Sequence, residues 1–248
     1  MLKLNHLAFQ VPVEGKDKEI IRDVSLTVPE GKLIVVTGPN GGGKSTLAKL
    51  IAGIETPTDG TIEWMGEDIT SLLVTERARR GIAFAFQQPV RFKGIRVQDL
   101  IRIASGKNIS VADACNFLAA VGLCARDYVS REVDSSLSGG ELKRIEIATV
   151  LARNAALSIF DEPEAGIDLW SFQNLIEVFQ EMRRTAKSRS ILIISHQERI
   201  LNIADEIVVL KNGCVEKIGA KEEVLPTLIG TASAVAGCGK GLKMEDVK

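Results

Sequence analysis

The amino-acid sequence predicts an α/β fold, with a parallel β-sheet core, an antiparallel β subdomain and an inserted α-helical subdomain. Three observations support this fold class. The first third of the chain is rich in strand-like segments, the apolar spacing becomes helical from about Pro89 to Leu151, and short apolar segments then alternate with a helical stretch. A length of 248 residues is enough for one domain of this kind.

The opening third contains the segments expected to form the antiparallel subdomain and the first core strand. Residues near 3–10, 24–28 and 33–37 have the composition of strands. A turn-forming Pro-Thr-Asp-Gly sequence at 57–60 then precedes a short strand at 61–64. This part of the chain should therefore be dominated by β-structure.

The middle of the chain carries a helical pattern, which we assign to a helical subdomain inserted at about residues 89–151. Its clearest helix is expected to begin after Ser110, a favoured N-cap residue, and to end at Gly122. The apolar residues between these two limits recur three and four positions apart, at Val111, Ala114, Cys115 and Leu118.

Three short apolar segments in the last third have the pattern of buried parallel strands. They lie at 157–160, 191–194 and 207–210, and a helical stretch near 169–185 separates the first two. We therefore expect a single domain over residues 1–230. The small and polar residues of 231–248 predict a flexible C-terminal tail.

Composition narrows the class of protein. Charged residues make up 25% and the net charge is −1, so neither a disordered chain nor a globally basic nucleic-acid binder is expected. No apolar run approaches the ~20 residues that span a bilayer, and the start lacks the apolar core of a signal peptide. These features predict a cytoplasmic protein. Reduced thiols are expected because the cysteines are scattered: Cys115, Cys124, Cys214 and Cys238.

The most specific feature is a segment that fits the phosphate-binding pattern G-x-x-x-x-G-K-[ST] and directly follows the apolar run 33–36. Its glycines allow backbone N–H groups to converge on a phosphate, and the next helix points its positive end at the same place. Lys44 is expected to bridge the β- and γ-phosphates, and the Ser45 hydroxyl to ligate Mg²⁺. The expected nucleotide-binding residues are Gly38, Pro39, Asn40, Gly41, Gly42, Gly43, Lys44, Ser45 and Thr46.

A pair of carboxylates ends the apolar strand at 157–160. Asp161 is placed to hold Mg²⁺ through water. Glu162 follows it and can orient and deprotonate the water that attacks the γ-phosphate. Without the phosphate loop, the same two residues would be interpreted as an ordinary solvated strand end.

A second anion site is predicted where Leu-Ser-Gly-Gly-Glu at 137–141 precedes a helix. The Ser138 hydroxyl and the backbone amides of Gly139 and Gly140 can bind a phosphate there. One chain does not need two such sites. We therefore expect the second site to serve the γ-phosphate bound by another copy, in a dimer with ATP between the protomers.

The order of these segments resembles the ATP-binding cassette (ABC) ATPase family, which has a P-loop NTPase core, over about residues 1–228. The segments are the phosphate loop, Gln87, the 137–141 signature, Asp161-Glu162, the Ala-Gly-Ile-Asp sequence at 165–168, and His196. The resemblance implies a Mg²⁺-dependent ATP hydrolase that binds ATP in a dimer.

Three residue roles follow from that resemblance alone. Gln87 is expected to touch Mg²⁺ and the attacking water, and His196 to contact the γ-phosphate and act in catalysis without being the base. Val11 best matches the position where the family usually places an aromatic residue against adenine. It would offer apolar contact and no stacking.

Within the family, the chain resembles the SufC subfamily of soluble ATPases, which drive a scaffold that assembles iron–sulfur clusters. The matching segments are 85–90, 138–146 and 195–201. A SufB-like or SufB/SufD-like soluble scaffold is then the expected partner, docked on the surface formed by Gln87 and residues 90–100. We also hypothesise that Lys143, which follows the signature, forms an ion pair with a carboxylate, for which Glu162 is a candidate.

Two alternatives to the assembly role stay open. The chain could be the cytosolic ATP-binding subunit of an ABC membrane transporter, which would share every phosphate contact but dock on a transmembrane permease. A regulatory module in DNA repair or translation is disfavoured, because such proteins commonly carry a long coiled coil or a duplicated cassette, and the sequence has neither.

Overall fold

The computed structural model describes residues 1–13, 15–185 and 188–228. The predicted tail at 231–248 and Cys238 lie outside the described residues. The strands in chain order are β1 (Leu2–Val13), β2 (Lys16–Val28), β3 (Leu33–Thr37), β4 (Asp59–Trp64), β5 (Glu67–Asp68), β6 (Ile82–Ala85), β7 (Phe92–Arg96), β8 (Glu132–Val133), β9 (Leu157–Asp161), β10 (Ser190–Ile194), β11 (Glu206–Lys211) and β12 (Cys214–Ala220). The helices are α1 (Lys44–Ala52), α2 (Val74–Arg79), α3 (Val97–Ser105), α4 (Val111–Ala120), α5 (Ala125–Tyr128), α6 (Gly139–Arg153), α7 (Leu169–Thr185) and α8 (Glu198–Asn202), and residues 221–228 are also helical.

The core is a mainly parallel sheet with the order β12-β11-β3-β10-β9-β6, in which β12 alone runs antiparallel to its neighbour. The strands β3, β9 and β10 are buried along their whole length, because helices or strands cover both faces. In β3, for example, Leu33 and Val35 pack in one apolar cluster and Ile34 and Val36 in the other. The predicted parallel core is confirmed.

A smaller antiparallel sheet, β5-β4-β1-β2, extends from the core sheet. It is joined to β12 by a single parallel pairing of Asp23 with Cys214. The strand predicted at 24–28 is longer in the structure and begins at Lys16. The sequence pattern missed residues 16–23, of which only Ile21 is buried, so they carry no apolar alternation.

Four helices, α3 to α6, lie between β6 and β9, in the region predicted to be helical. The Ser110 hydroxyl accepts a hydrogen bond from the Asp113 N–H at 3.1 Å, which confirms it as the N-cap of α4. Gly122 has φ of 72° just after that helix. The same region also contains β7, which pairs with β8 and was not predicted. The subdomain limits 89 and 151 stay a prediction.

The topology places the candidate site residues at one edge of the core sheet. The loop that follows β3, the last residue of β9, and the residues after β6 and β10 all lie at the carboxyl ends of parallel strands. Ligands of α/β proteins commonly bind at this edge.

Candidate functional site

The loop from Gly38 to Gly43 has a backbone that requires glycine. Gly38 and Gly43 have φ of 131° and 97°, values that residues with a side chain rarely adopt. A Cβ on Gly38 would lie 2.0 Å from the Leu210 carbonyl oxygen, and one on Gly43 2.7 Å from Ile21 Cδ1. The loop is therefore packed against β11 and β2, and α1 begins directly after it at Lys44.

Lys44 is only 5% exposed, and its ammonium group lies back over the loop. The Nζ atom donates to the carbonyl oxygens of Gly38 at 2.8 Å and Pro39 at 3.0 Å. Burial lowers the pKa of Lys44, while Glu162 and Asp161 act in the opposite direction. The cation is thus held at the loop and close to two carboxylates.

Ser45 and Asp161 form the candidate Mg²⁺ site. The Ser45 hydroxyl donates to Asp161 Oδ1 at 2.9 Å. Burial raises the pKa of Asp161, which is 2% exposed, although the Ser45 hydrogen bond opposes that shift. A hydroxyl and a carboxylate are hard oxygen ligands of the kind that Mg²⁺ prefers, and a bound cation would favour ionised Asp161. The donor set fits the ion.

Glu162 contacts two of the other predicted catalytic side chains, Gln87 and His196; the third is Lys44, described above. Gln87 Nε2 donates to Glu162 Oε2 at 2.6 Å, and His196 Nε2 lies 3.9 Å from Glu162 Oε1. Glu162 also has φ of 44°, in the left-handed region that is unfavourable for a residue with a side chain. Backbone strain of this kind is concentrated at functional sites, where the surroundings hold the residue in place.

His196 lies beyond the carboxyl end of β10, with its side chain 39% exposed. Burial and the Lys44 charge lower its pKa, and these effects outweigh the opposing influence of Glu162. The neutral imidazole is therefore favoured near pH 7. A neutral ring can donate one hydrogen bond to a phosphate oxygen.

Part of this site borders a cavity of about 550 Å³, a size that suits a nucleotide. Five predicted residues of the phosphate loop and the strand ends do not line the cavity: Gly38, Pro39, Gly42, Asp161 and His196. The loop residues Asn40, Gly41, Gly43, Lys44, Ser45 and Thr46 line it together with Gln87 and Glu162. Val11 does not line it and instead pairs with Lys18 across the β1–β2 ladder. The lining residues that the sequence analysis missed are Lys18, Glu19, Ile20, Arg22 and Asn212.

The signature residues Ser138, Gly139 and Gly140 lie at the N-terminus of α6 and do not line this cavity. Within the chain, the Ser138 hydroxyl accepts a hydrogen bond from the Glu141 N–H at 3.3 Å, and the Ser138 N–H donates to the Glu141 carboxylate at 2.6 Å. Nothing lies within 4 Å of the position of a Cβ on Gly139. The second anion site is therefore separate from the cavity in one chain.

Lys143 forms an ion pair with a carboxylate, but the partner is Glu146 and the candidate Glu162 is wrong. Lys143 is fully buried, and its Nζ atom lies 3.4 Å from Glu146 Oε2. It also donates to the carbonyl oxygens of Phe86, Gln87 and Asp161. Lys143 points into the space between α6 and the ends of β6 and β9. Glu146 meets it there, because residues three positions apart face the same side of a helix.

No described helix has both the length and the apolar character to span a membrane. Among the described residues, no group of His, Cys, Asp and Glu side chains could hold a metal ion by itself. Cys115, Cys124 and Cys214 are free thiols, as expected.

The phosphate loop, the carboxylates of Asp161 and Glu162, and the side chains of Gln87 and His196 lie at one edge of the core sheet, as in a nucleotide-binding cassette. Comparisons with known proteins agree with this class. A sequence profile of the ABC transporter family matches residues 21–165. The chain belongs to this family. It is therefore an ABC-type ATPase that binds ATP with Mg²⁺.

Two curated relatives and one solved structure are similar to this chain over most of its length. An uncharacterized ABC transporter ATP-binding protein of Methanocaldococcus jannaschii is 40% identical, covering 84% of this chain and 86% of the relative. The sulfate/thiosulfate import ATP-binding protein CysA of Synechocystis sp. is 32% identical, covering 84% of this chain and 58% of that protein. A dimeric ATP-binding cassette in a post-hydrolysis state, bound to ADP and Pi, has a TM-score of 0.80 at 23% identity, covering 89% of this chain and 99% of that chain. The last similarity confirms the fold.

Proposed function

We propose that this chain is the ATP-binding subunit of a membrane transporter, which works at the cytoplasmic side of the membrane and couples closure of an ATP-bound dimer to a permease. The observation that carries the proposal is an apolar groove beside Gln87. The names of the relatives support a permease as its occupant, because one is an ABC transporter ATP-binding protein and another an import ATP-binding protein.

The groove lies between α3 and α6 and continues over β6 toward α2. Its two adjoining parts have volumes of about 180 and 250 Å³ and share Phe84 and Phe86. Val90, Phe92 and Ile103 line the first part with exposures of 48%, 38% and 67%. Apolar side chains exposed together in a groove typically mark a binding surface, and a short amphipathic helix has the matching shape.

The surface around the groove includes the segment that the sequence analysis singled out. Phe92 lies in the groove wall, while Arg91, Lys93 and Arg96 are exposed next to it. Apolar residues in the centre and cations at the rim favour a partner with an apolar helix face and acidic flanks.

For ATP hydrolysis, we propose that Lys44 and the loop amides hold the β- and γ-phosphates. Mg²⁺, when bound, would be held by Ser45 and Asp161 with Gln87 beside them, and would neutralise phosphate charge. Glu162 accepts the proton of the attacking water, and Gln87 orients its carboxylate through the 2.6 Å hydrogen bond. Neutral His196 donates to a γ-phosphate oxygen and keeps the geometry.

A second copy completes the site in this proposal. Ser138, Gly139 and Gly140 do not line the cavity of their own chain, and Gly139 has open space around it. Backbone amides at the N-terminus of a helix favour a phosphate. Two chains placed head to tail would bring each signature to the γ-phosphate on the other chain.

The expectation that the partner is a SufB-like or SufB/SufD-like scaffold depends only on sequence segments such as residues 138–146. The relatives described above are named for transport and do not support it. The deciding experiment is purification of the tagged protein from its native source, in parallel from detergent-solubilised membranes and from the membrane-free extract. We expect an integral membrane permease to co-purify. Recovery of a soluble scaffold protein with no permease would contradict the transport role.

The groove itself is tested by Phe92→Asp, which places a charge in its apolar wall. We expect this change to weaken permease binding by more than about 1 kcal/mol, roughly fivefold in Kd, while the ATPase activity of the isolated chain is retained. The matched control is Ile218→Asp on β12, since Ile218 is 46% exposed but does not line the groove. Equal binding by wild type and Phe92→Asp would refute the interface.

A further inference from the structure

Lys143 and Glu146 form a buried pair of opposite charges on α6, next to the catalytic residues. The exposed fractions of their side chains are 0% and 13%, and their charged atoms lie 3.4 Å apart. Burial lowers the pKa of Lys143 and raises that of Glu146, while each charge opposes the shift of the other. Such a pair is a weak source of stability, because desolvation offsets much of the attraction. Its position therefore calls for another explanation.

Both members of the pair bind the same residue, Phe86. The Phe86 N–H donates to Glu146 Oε1 at 2.8 Å, and the Phe86 carbonyl accepts a hydrogen bond from Lys143 Nζ. Lys143 also lies 3.4 Å from the Gln87 carbonyl oxygen. The backbone on either side of the Phe86–Gln87 peptide is thus attached to α6.

A third attachment connects the same lysine to the end of β9. Lys143 Nζ lies 3.4 Å from the carbonyl oxygen of Asp161, the residue before Glu162. Gln87 in turn donates to the Glu162 carboxylate at 2.6 Å. The lysine therefore touches the backbone beside both partners of the Gln87–Glu162 hydrogen bond.

We propose that Lys143 and Glu146 act together as positioning residues, which hold the backbone at Phe86 and Gln87 so that the Gln87 side chain stays against Glu162. Neither residue lines the candidate nucleotide cavity. Because both lie on α6, whose first turn carries the signature, a displacement of that helix moves the backbone before Gln87. Phe86 and Glu146 also line the apolar groove, so the pair lies between the groove and Glu162.

The proposal rests on ATP hydrolysis at this site and is tested with the double variant Lys143→Met/Glu146→Leu. Replacing both members leaves neither charge buried without its partner, but the Phe86 N–H and the carbonyls of Phe86, Gln87 and Asp161 lose a hydrogen-bond partner. We therefore expect the melting temperature to fall while the variant stays folded at the assay temperature. The KM for ATP should stay close to wild type, because the phosphate loop is unchanged. We expect kcat to fall about 10- to 100-fold, since small displacements of a positioned group have effects of this size.

A second measurement distinguishes the positioning of Gln87 from a merely structural role. In a Gln87→Ala background, the double substitution should cause little further loss of kcat, because the group that it positions is already missing. Losses that multiply in the combined variant would overturn the proposal, as would wild-type kcat in the folded double variant. Absence of ATPase activity from the wild-type chain would instead refute the activity itself.

Two further variants complete the design. Arg153→Met serves as the matched control, because Arg153 is on the same helix and donates to the Ala78 carbonyl at 2.6 Å, away from Gln87. Its kcat should stay within about twofold of wild type. If the double variant does not fold, Lys143→Met/Glu146→Gln takes its place, since it leaves no buried charge and keeps an acceptor for the Phe86 N–H. It should show the same fall in kcat and the same dependence on Gln87, and unchanged kcat would overturn the proposal.

Discussion

Replacing Glu162 with Gln changes the proton-accepting ability of the side chain and little else. A glutamine at this position can turn its carbonyl oxygen toward Gln87 Nε2 and keep the hydrogen bond that now measures 2.6 Å. The side-chain volume is conserved, and the left-handed φ of 44° is set by the surrounding backbone. The variant should therefore fold as the wild type does.

The size of the effect follows from the roles proposed above for each residue. A positioned general base contributes about 10²–10⁴-fold, or about 3–5 kcal/mol of the activation barrier. In the same proposal, phosphate binding depends on the loop, Lys44 and Ser45, none of which changes. We therefore expect kcat to fall by that factor, while ATP affinity is preserved and the ATP-bound dimer accumulates.

The assay combines phosphate release, nucleotide binding and size-exclusion chromatography with ATP and Mg²⁺. Lys44→Ala gives the contrast, because it should lose most nucleotide binding and form no dimer. Glu181→Gln is the matched control, since Glu181 is exposed on α7 and pairs with Arg184. A kcat for Glu162→Gln within about threefold of wild type would exclude the base role.

Two further predictions concern stability. Arg77 is 1% exposed and donates to the carbonyls of Leu50, Ile51, Thr70 and Leu72. Arg77→Met should therefore lower the free energy of unfolding by at least about 3 kcal/mol in urea titrations, whereas Arg79→Met, at an exposed position, should change it by less than about 0.5 kcal/mol. Equal values for the two variants would refute the stabilising role of Arg77. The pKa of His196 is lower in the folded than in the unfolded chain, so the unfolded state binds a proton first as the pH falls. As the pH falls from about 7 through the pKa of His196 in the folded chain, the free energy of unfolding of the wild type should therefore decrease. His196→Gln should lose less stability over the same range. Identical pH dependence of the two proteins in urea titrations would contradict the lowered pKa of His196.

Residues in continuous segments could be predicted because their chemistry depends on local order. The loop from Gly38 to Thr46 needs glycine at fixed spacings, and Asp161 and His196 each follow a short apolar strand. Parallel strands bring their carboxyl ends together, so the sequence also predicted that these residues meet. The fold class was predictable for the same reason, since periodicity distinguishes buried strands from amphipathic helices.

Other parts of the cavity depend on how distant segments pack. Val11 was expected at the base-binding end, but Lys18, Glu19 and Arg22 on β2 line the cavity instead. Val11 is partly buried against the apolar cluster that contains Leu7, Phe9 and Ile21. Which residues of these two strands face the cavity depends on such packing and on the β1–β2 register, which shifts between Leu4 and Gln10 and which the pattern of an exposed strand does not fix.

The sequence by itself determined the phosphate loop, the carboxylates at the end of β9 and the helix-capping signature, because each of these depends on neighbours along the chain. Only the tertiary structure decided which groups Lys143 and Arg77 would meet. A long flexible cation can reach many acceptors, and its partner is set by which carbonyls and carboxylates the packed elements leave unpaired around it. The carbonyls that Lys143 meets belong to Phe86 and Gln87, just after β6, and to Asp161 at the end of β9, which are far from Lys143 in sequence and adjacent to it only in the folded chain.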